Sequence, residues 1–393
     1  MRFGVDATCW WSRRGFGRFT RGLLQAMFDQ PGGHRYCLFV DRPPEAAMLH
    51  PNVDIVRVNP SRPVTEAAVA SGSRSLLDLW AFTRAASREP MDLMFFPAVY
   101  SWFPMQPGVP MVVTLHDAIA EHFPELIFPG RKGRFMWDMK MRLARWQARR
   151  FMTVSNAAKS EILEHLGIKA DRIDVVSEAA DPRFQPVTDA NVLAAARIRA
   201  KLPAEGRFIV YASGLAPHKN IAGLVNGFSN ALARGGVEDL YLALVGDPQG
   251  DGFHSNYRQL LAQAESERQL RGRVHFTGYL SDEDLVALYS DALAVAVPSF
   301  SEGFGLPAIE AMACGTPVLA STAGAVPEVV GDAGLYFDPR DSMQIADAIH
   351  RMATERDTLE SLRKKALERS AQFTWANAAR LAIGHLERAA RGG

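Results

Sequence analysis

Two glutamates, Glu302 and Glu310, carry the most informative chemistry of this sequence. They lie in residues 298–317, which follow the predicted strand Ala292–Val297 and consist of a loop containing Gly303 and Gly305 and then a helix with Pro307 in its first turn. A strand, a glycine loop and a helix N-terminus together bind anions, because unpaired backbone N–H groups and the helix dipole point at the ligand. A carboxylate on that helix repels phosphate but suits vicinal hydroxyls. The segment therefore predicts a site for a sugar attached to phosphate; an ordinary turn with two surface glutamates is the alternative.

The same segment resembles the retaining glycosyltransferases of family 4, which have the GT-B fold. Their signature is a glutamate, seven residues and a second glutamate, and Glu302 and Glu310 have this spacing around a Gly-Phe-Gly-Leu-Pro string. The resemblance implies that Glu310 binds the ribose hydroxyls of a sugar nucleotide and that Glu302 contacts the donor sugar. It also implies that backbone amides of the intervening loop bind sugar hydroxyls and the diphosphate. The donor-binding candidates in this loop are Gly303, Phe304, Gly305 and Leu306.

A basic loop, Pro217–Asn220, follows the first predicted strand of the second half of the chain. Lys219 has a compact charge that suits a diphosphate whose negative charge grows as the sugar bond breaks. The family commonly has an arginine followed by a lysine here, and Lys219 matches the lysine, whereas Ser213 and Gly214 occupy the usual places of the arginine. His218 is the nearby substitute, provided that its pKa is raised. A solvated loop lysine is the alternative.

A second glycine segment, Gly15-Phe-Gly17-Arg18, follows the first predicted strand and precedes a helical stretch over Phe19–Phe28. A glycine turn that opens a helix is aimed at an anion. It lacks the third glycine of a dinucleotide fingerprint, so we predict no NAD site. Family members that resemble bacterial mannosyl- and polysaccharide-assembly transferases have a similar Gly-x-Gly-Arg motif near the donor phosphates and the acceptor. This implies that Gly15 and Gly17 bind the donor and that Arg18 supplies the missing cation; a plain helix start is the alternative.

Two further segments complete the predicted site. His116 ends the apolar run Val109–Leu115, and the family has a histidine of this kind, which implies a place on the acceptor side. A satisfied structural histidine is the alternative. The resemblance also implies that the backbone of Gly278, Tyr279 and Leu280 seats the nucleotide base.

The acidic triplet 282–284 resembles one that binds metal in a different glycosyltransferase fold. However, Ser281 followed three residues later by Asp284, ahead of apolar residues, is typical of a helix N-cap. We therefore predict no catalytic metal and no cofactor, the nucleotide sugar being a substrate.

The basic segment Arg131–Arg150 has eight cations against one acid, Asp138, with aromatic residues and methionines between them. This pattern is typical of a surface that rests on anionic lipid or meets a lipid-diphosphate acceptor. The alternative is an amphipathic helix that buries Phe135, Met139 and Leu143 and leaves its cations in solvent. The sequence leaves the two interpretations open.

Composition favours a globular protein of two or three domains. The chain has 393 residues, of which 48% are hydrophobic and 22% charged, and this balance excludes a disordered chain. A net charge of +1 gives no global case for a nucleic-acid partner. Three distant cysteines favour buried thiols in a reducing compartment. No window approaches the roughly 18 apolar residues of a membrane span. We expect a cytoplasmic protein, with peripheral contact on the inner face of the membrane through residues 131–150 as an open possibility.

Short apolar runs alternate with helical stretches throughout, which predicts an α/β protein with parallel sheets. Residues 177–205 interrupt this rhythm with prolines, so we place the domain junction there. The predicted organisation is a Rossmann-like, acceptor-side domain over residues 1–180 and a Rossmann-like, nucleotide-sugar-binding domain over residues 205–373. In the resembled fold the two face each other across a cleft, and the final helix within residues 374–393 returns to the first domain.

Together these features predict a retaining, metal-independent transferase with His116, Lys219 and Glu302 as catalytic residues. It moves a hexose, with mannose as the first choice, from GDP-mannose or a UDP-sugar to a hydroxyl of a saccharide or glycolipid in polysaccharide or glycoconjugate biosynthesis. The alternatives are a sugar-nucleotide epimerase or a phosphorylase on the same fold, or a catalytically silent binding subunit of an assembly complex.

Overall fold

A computed structural model describes residues 1–67, 75–128, 130–246 and 257–392. The chain divides into two compact units. The first comprises Met1–Glu178 with Thr374–Gly393, and the second comprises Ala179–Phe373. Each unit is a parallel β-sheet with helices between its strands, so the α/β class predicted from the sequence is confirmed.

The first unit contains a seven-stranded sheet with strand order β3-β2-β1-β4-β5-β6-β7. Its strands are β1 (Arg2–Asp6), β2 (Arg35–Val40), β3 (Val53–Arg57), β4 (Leu93–Phe96), β5 (Met111–Thr114), β6 (Arg150–Thr153) and β7 (Ile173–Val175). Its helices are α1 (Gly15–Phe28), α2 (Val64–Ala67), α3 (Leu76–Ala86), α4 (Ile119–His122), α5 (Pro124–Ile127), α6 (Arg131–Gln147), α7 (Asn156–Leu166) and, from the end of the chain, α16 (Trp375–Arg391). The predicted apolar run Val109–Leu115 contains strand β5. Central strands such as β4 are apolar throughout because both faces of a parallel sheet are covered.

The second unit contains a six-stranded sheet with strand order β10-β9-β8-β11-β12-β13. Its strands are β8 (Arg207–Ala212), β9 (Leu240–Val245), β10 (Val274–Gly278), β11 (Ala294–Val297), β12 (Val318–Ser321) and β13 (Gly334–Phe337). Its helices are α8 (Ala190–Arg199), α9 (Ile221–Ala233), α10 (Tyr257–Ser266), α11 (Asp282–Asp291), α12 (Leu306–Ala313), α13 (Val326–Val330), α14 (Ser342–Thr354) and α15 (Arg356–Ser370). The strand order reverses between β8 and β11, and the carboxyl ends at such a reversal form the usual ligand site of an open α/β sheet.

The proline-containing segment at the predicted junction is part of the second unit. Phe184, Ala196 and Leu202 are buried in the same apolar cluster as residues of strands β8 and β9. Arg199 at the end of α8 pairs with Asp284 of α11, with 2.5 Å between its Nη2 and Oδ1. Helix α8 therefore anchors the segment to the second unit.

The last helix, α16, packs on the first unit. A Cβ at Gly22 in α1 would lie 2.3 Å from the indole ring of Trp375, so the two helices approach closely because residue 22 is a glycine. Farther along, Asp174 of β7 lies 3.2 Å from His385 Nδ1 and 3.1 Å from Arg388 Nη2. The final helix thus returns to the first unit, as the resemblance implied.

Helix α6 buries a different face from the one that the amphipathic interpretation predicted. It buries Trp137, Met141 and Ala144. The three residues expected inside, Phe135, Met139 and Leu143, are instead exposed on the opposite side. That alternative is therefore wrong about which face is buried: Trp137 lies inside, where its Nε1 donates a hydrogen bond to Oε1 of Glu121 at 2.7 Å. Among the described residues, no helix combines the length and the apolar character needed to cross a bilayer.

Candidate active site

Lys219 and Glu302 meet at the carboxyl ends of neighbouring strands. Lys219 lies in a 3₁₀ turn, Pro217–Lys219, that follows β8, and Glu302 lies in the loop after β11. Lysine Nζ is 2.8 Å from Oε1 and 2.7 Å from Oε2 of the glutamate. Two residues that the sequence assigned to one site are therefore in direct contact. The ion pair itself was not predicted, since the residues are 83 positions apart.

The surroundings of Glu302 stabilise its charged form. Its residue is only 7% exposed, and Ser299 donates a hydrogen bond to Oε1 at 2.6 Å. Burial acts to raise the pKa of this carboxyl, but Lys219 and Ser299 outweigh it and hold the pKa below its usual value. The carboxyl is consequently ionised at neutral pH and balances the charge of the lysine within the site.

Asn220 ties together the loops that carry this pair. It begins α9 in the left-handed conformation, with φ of 55°. Its buried Nδ2 donates to the carbonyl of Pro298 at 3.0 Å and to that of Pro339 at 2.6 Å. These carbonyls follow β11 and β13, so one side chain links three strand ends. No sequence signal indicates this role beyond the tolerance of asparagine for positive φ.

His218 does not supply the missing positive charge. Its residue is 7% exposed, and burial together with the neighbouring Lys219 lowers its pKa to about 4, with Glu302 acting in the opposite direction. The imidazole is therefore neutral at physiological pH. The condition under which His218 would replace the arginine, a raised pKa, is therefore not met, because the loop removes the ring from water beside another cation.

Arg340 is a cation near this site that the sequence did not indicate. It follows β13, directly after the carbonyl that Asn220 binds. Its guanidinium carbon lies 5.9 Å from the centre of the Phe300 ring, in the loop that carries Glu302. The residue is exposed. It brings a second positive charge to the same edge of the sheet.

The glycine loop leads into α12 as predicted. Gly305 is the N-cap with φ of 100°, a conformation that favours glycine, and a proline follows in the first turn. Among the described residues, no hydrogen bond is accepted from the backbone N–H of Gly305 or Leu306. The side chain of Phe304 points into the unit and packs edge-on against Phe373, with 5.7 Å between ring centres. Gly303 opens this loop. The amides at the helix start are positioned to bind an anion.

A second turn supports the glutamate loop from behind. The backbone N–H of Ala325 donates to the carbonyl of Glu302 at 3.0 Å. A Cβ at Gly324 would lie 2.6 Å from the backbone nitrogen of Glu302, so this neighbour must be a glycine. The position of the carboxylate is thus fixed by backbone packing as well as by Lys219.

Glu310 lies one turn into α12 and is 4% exposed. Carboxylates are seldom so deeply buried without polar partners. Its burial contradicts the alternative of two surface glutamates, since Glu302 is buried as well.

The residues predicted to bind the nucleotide base lie at the end of strand β10 and directly after it. Gly278 has φ of 77°, and its carbonyl accepts a hydrogen bond from Gly246 N at 3.2 Å. Tyr279 is 60% exposed, and Leu280 is half-buried. They lie on the second unit, at the carboxyl edge of its sheet.

The acidic triplet has a structural role. Ser281 is the N-cap of α11 and accepts a hydrogen bond from Asp284 N at 3.1 Å, which confirms the predicted cap. Asp282 pairs with Arg183, whose Nη2 lies 2.9 Å from Oδ2. No group of three or more His, Cys, Asp or Glu side chains able to hold a metal occurs in the part of the chain that the structure describes.

His116 follows β5 in the first unit and uses both ring nitrogens within that unit. Nε2 donates to the carbonyl of Pro97 at 2.9 Å, and Nδ1 lies 3.4 Å from Oε1 of the buried Glu178. The ring of Phe19 packs edge-on against it, with 4.8 Å between ring centres. In this conformation the imidazole is held in place and has no nitrogen directed at a substrate.

The Gly15–Arg18 segment forms the first turn of α1 itself, which begins at Gly15 and not after Arg18. A Cβ at Gly17 would lie 2.1 Å from the carbonyl oxygen of Ser12, so packing within the protein requires this glycine. The N–H groups of Gly17 and Arg18 both donate to the carbonyl of Arg14, at 2.9 and 3.2 Å. The segment is therefore a helix start in which two amides are already bonded, and the separate glycine turn expected before the helix is wrong.

Comparison with known proteins gives a consistent assignment for both units. Residues 13–184 match the family described as Glycosyltransferase Family 4, and residues 195–369 match the family described as Glycosyl transferases group 1. Over 266 residues the chain is 32% identical to the O-antigen chain mannosyltransferase B of Escherichia coli, covering 68% of this chain and 67% of that protein.

Two further similarities differ in extent. The chain is 34% identical over 233 residues to the serotype-specific mannosyltransferase WbdA of Escherichia coli; the match covers 58% of this chain but only 28% of that longer protein. The crystal structure of Anabaena HepE in complex with UDP-glucose matches with a TM-score of 0.71 at 20% identity, covering 98% of each chain. At this identity the structural match establishes the fold alone.

Proposed function

Because this chain belongs to the family 4 glycosyltransferases and has the GT-B fold, we propose that it transfers a hexose from a nucleotide-diphosphate sugar to a hydroxyl acceptor with retention of configuration. The observation that carries this proposal is the ion pair between the half-buried Lys219 and the buried Glu302 at the strand reversal of the second unit. A charged pair beside free helix-start amides suits a ligand that combines hydroxyls with a diphosphate.

The donor is bound by the second unit. Glu310 accepts hydrogen bonds from the ribose hydroxyls, Glu302 orients the sugar, and the amides of residues 304–306 bind sugar hydroxyls and the diphosphate. The backbone of residues 278–280 seats the base. The neutral His218 contributes packing beside the phosphates and no charge. UDP-glucose in the related HepE structure supports a nucleotide-sugar donor.

Lys219 stabilises the leaving diphosphate. As the donor binds, Lys219 exchanges part of its contact with Glu302 for contact with phosphate oxygens. Its positive charge then stabilises the negative charge that develops on the diphosphate in the transition state. The bond between the anomeric carbon and the β-phosphate oxygen breaks, and the acceptor oxygen forms the new bond on the same face. The acceptor proton moves to the departing diphosphate oxygen. Arg340 in the second unit and Arg18 in the first are the candidates for a further cation.

The first unit serves the acceptor. His116 positions the acceptor side through its fixed ring, and Gly15 and Gly17 shape the start of α1 on which Arg18 stands. The acceptor is a saccharide or a lipid-linked saccharide used in polysaccharide assembly, and mannose is the first choice of sugar because both Escherichia coli relatives are described as mannosyltransferases. The reaction needs no metal, since Lys219 and the helix-start amides supply the charge stabilisation.

A donor screen tests this function directly. The purified chain is incubated with GDP-mannose, UDP-glucose and UDP-galactose, each with saccharide acceptors and chelator, and the products are followed by NMR. We expect one donor to be consumed and an axial glycosidic bond to form from an axial donor. Conversion of the donor without any acceptor would indicate an epimerase, and dependence on inorganic phosphate would indicate a phosphorylase. Absence of both transfer and donor hydrolysis with every donor would contradict the proposal.

A further inference from the structure

The exposed side of α6 carries large apolar side chains that glycosyl transfer does not use. Phe135, Met139, Leu143 and Trp146 are 61%, 46%, 45% and 78% exposed. They follow one another at intervals of four, four and three residues, so they share one face of the helix. We call this the outer face of α6. Since the inner face already packs on the unit, the helix has two apolar faces, of which the described residues cover one.

Cations surround this outer face. Lys132, Arg142 and Arg149 are exposed near it. The single carboxylate of the helix, Asp138, lies 3.9 Å from Arg134, a distance typical of a weak surface pair. An apolar stripe bordered by uncompensated positive charge complements a surface that is both anionic and apolar.

A basic pocket opens beside the last turn of α6. It has a volume of about 420 Å³, and three arginines line it, Arg142, Arg145 and Arg172, together with Trp146 and Phe151. Arg172 is held in place by two backbone carbonyls and stacks over the Phe151 ring, 5.4 Å from its centre. None of the described residues that line the pocket carries a carboxylate. Guanidinium groups arranged in this way suit a phosphate group.

We propose that the outer face of α6 docks on an anionic lipid bilayer, with its apolar side chains at the boundary of the acyl chains and a lipid phosphate in the basic pocket. A nucleic acid or another soluble polyanion would match the arginines but would leave Phe135, Met139 and Leu143 in water. A bilayer satisfies both the charge and the exposed apolar area. This inference goes beyond the proposed reaction, because it concerns where the enzyme acts and not what it transfers.

Vesicle binding by the full chain tests the charged part of the surface. The chain is sedimented with vesicles of phosphatidylcholine, with and without phosphatidylglycerol. We expect binding to the anionic vesicles and a loss of at least about tenfold for Arg142→Glu/Arg145→Glu, because each basic residue near an anionic surface contributes a factor of roughly five. Arg356→Glu/Lys364→Glu is the matched control, since it changes the net charge equally at exposed positions, 87% and 82%, of α15. It should leave binding within about twofold of the parent.

A second variant tests the apolar part. Trp146→Ser should weaken binding to the same vesicles by about tenfold through lost interfacial burial, whereas Ile198→Ser, at a residue 76% exposed in α8, should leave it unchanged. A far-UV circular dichroism spectrum and a urea unfolding midpoint equal to those of the parent check that each variant is folded. Equal vesicle affinity of the parent and Arg142→Glu/Arg145→Glu would overturn the proposal. It would also be overturned if the parent ignored vesicles and self-associated in light scattering, with Trp146→Ser monomeric, because the outer face would then bind a second copy.

Discussion

The two units of this glycosyltransferase hold their charged groups in different ways. In the second unit, Lys219 and Glu302 pair on strand-end loops, next to helix-start amides that remain unbonded among the described residues. In the first unit, His116 has both nitrogens engaged, one by the Pro97 carbonyl and one facing the Glu178 carboxylate, and an aromatic ring packs against it. The contacts in the first unit hold the imidazole ring of His116 in place, whereas Lys219 in the second unit can exchange its partner.

This difference predicts different roles for the charged groups of the two units. A lysine that exchanges a carboxylate for phosphate changes its interactions during the reaction, so its loss should affect turnover strongly. A histidine held by the protein acts by positioning, so its loss should affect transfer less and nucleotide binding hardly at all.

The largest expected effect is on turnover. Lys219→Met should lower kcat by roughly 10²- to 10³-fold, the usual effect of removing a group that stabilises developing charge. His116→Gln should lower kcat less and leave the KM for the donor near that of the parent. Steady-state kinetics with the donor found in the screen measures both. Near-normal turnover in Lys219→Met, or an equal loss in His116→Gln, would contradict the expectation that Lys219 affects turnover more strongly than His116.

The buried pair should also affect stability. Lys219→Met leaves the Glu302 carboxylate buried without its partner, which we expect to cost roughly 3–5 kcal/mol of the free energy of unfolding. Lys219→Met/Glu302→Gln removes both charges and should recover most of that loss. Urea denaturation of the parent and the two variants measures it. If the double variant were no more stable than the single one, the charge imbalance would not be the cause.

His218 should make the second unit sensitive to acid. Its folded pKa is about 4, whereas its value in the unfolded chain is 6.5. As the pH falls from 6.5 towards 4, the unfolded state takes up a proton that the folded state refuses, so stability falls over this window. His218→Gln should reduce the loss between pH 7 and pH 4.5 by roughly 2–3 kcal/mol. Urea denaturation at the two pH values measures the difference, and an unchanged loss would contradict a neutral, buried imidazole.

Substitution of Asn220 should have the smallest effect on the free energy of unfolding. Asn220→Gly keeps the positive φ but removes two buried hydrogen bonds, so we expect a loss of about 1–3 kcal/mol in the free energy of unfolding. Lys201→Gly is a matched control, because Lys201 also has a positive φ, 58°, on the surface of the same unit. Relief of that strain should leave the control as stable as the parent or more so. Equal behaviour of the two variants would mean that Asn220 matters for its backbone alone.

Local patterns predicted the fold well. Strand β5 lies within the predicted apolar run Val109–Leu115, and the proline and glycine signals placed α12 around Glu310 correctly. These features depend on neighbours in the sequence, where apolar runs and turn residues act directly.

Features that depend on distant partners were not predictable in this way. The Lys219–Glu302 pair joins loops that only the strand order brings together. Gly17 looked like part of an anion turn, but the reason for the glycine is the nearby Ser12 carbonyl. The pKa of His218 follows from burial, which one sequence does not reveal. Helix α6 has apolar residues on two faces, so periodicity alone did not identify the buried one.

We propose that the second unit holds the nucleotide, with Glu310 bound to the ribose hydroxyls. Calorimetric titration with GDP, UDP and ADP, in the parent, Glu310→Gln and His116→Gln, measures this binding. We predict that one nucleotide binds the parent most tightly. Its affinity should fall by about tenfold or more in Glu310→Gln, through lost charge-assisted hydrogen bonds, and stay within about twofold in His116→Gln. Unchanged affinity in Glu310→Gln, or an equal loss in His116→Gln, would contradict the binding of the nucleotide to the second unit through Glu310.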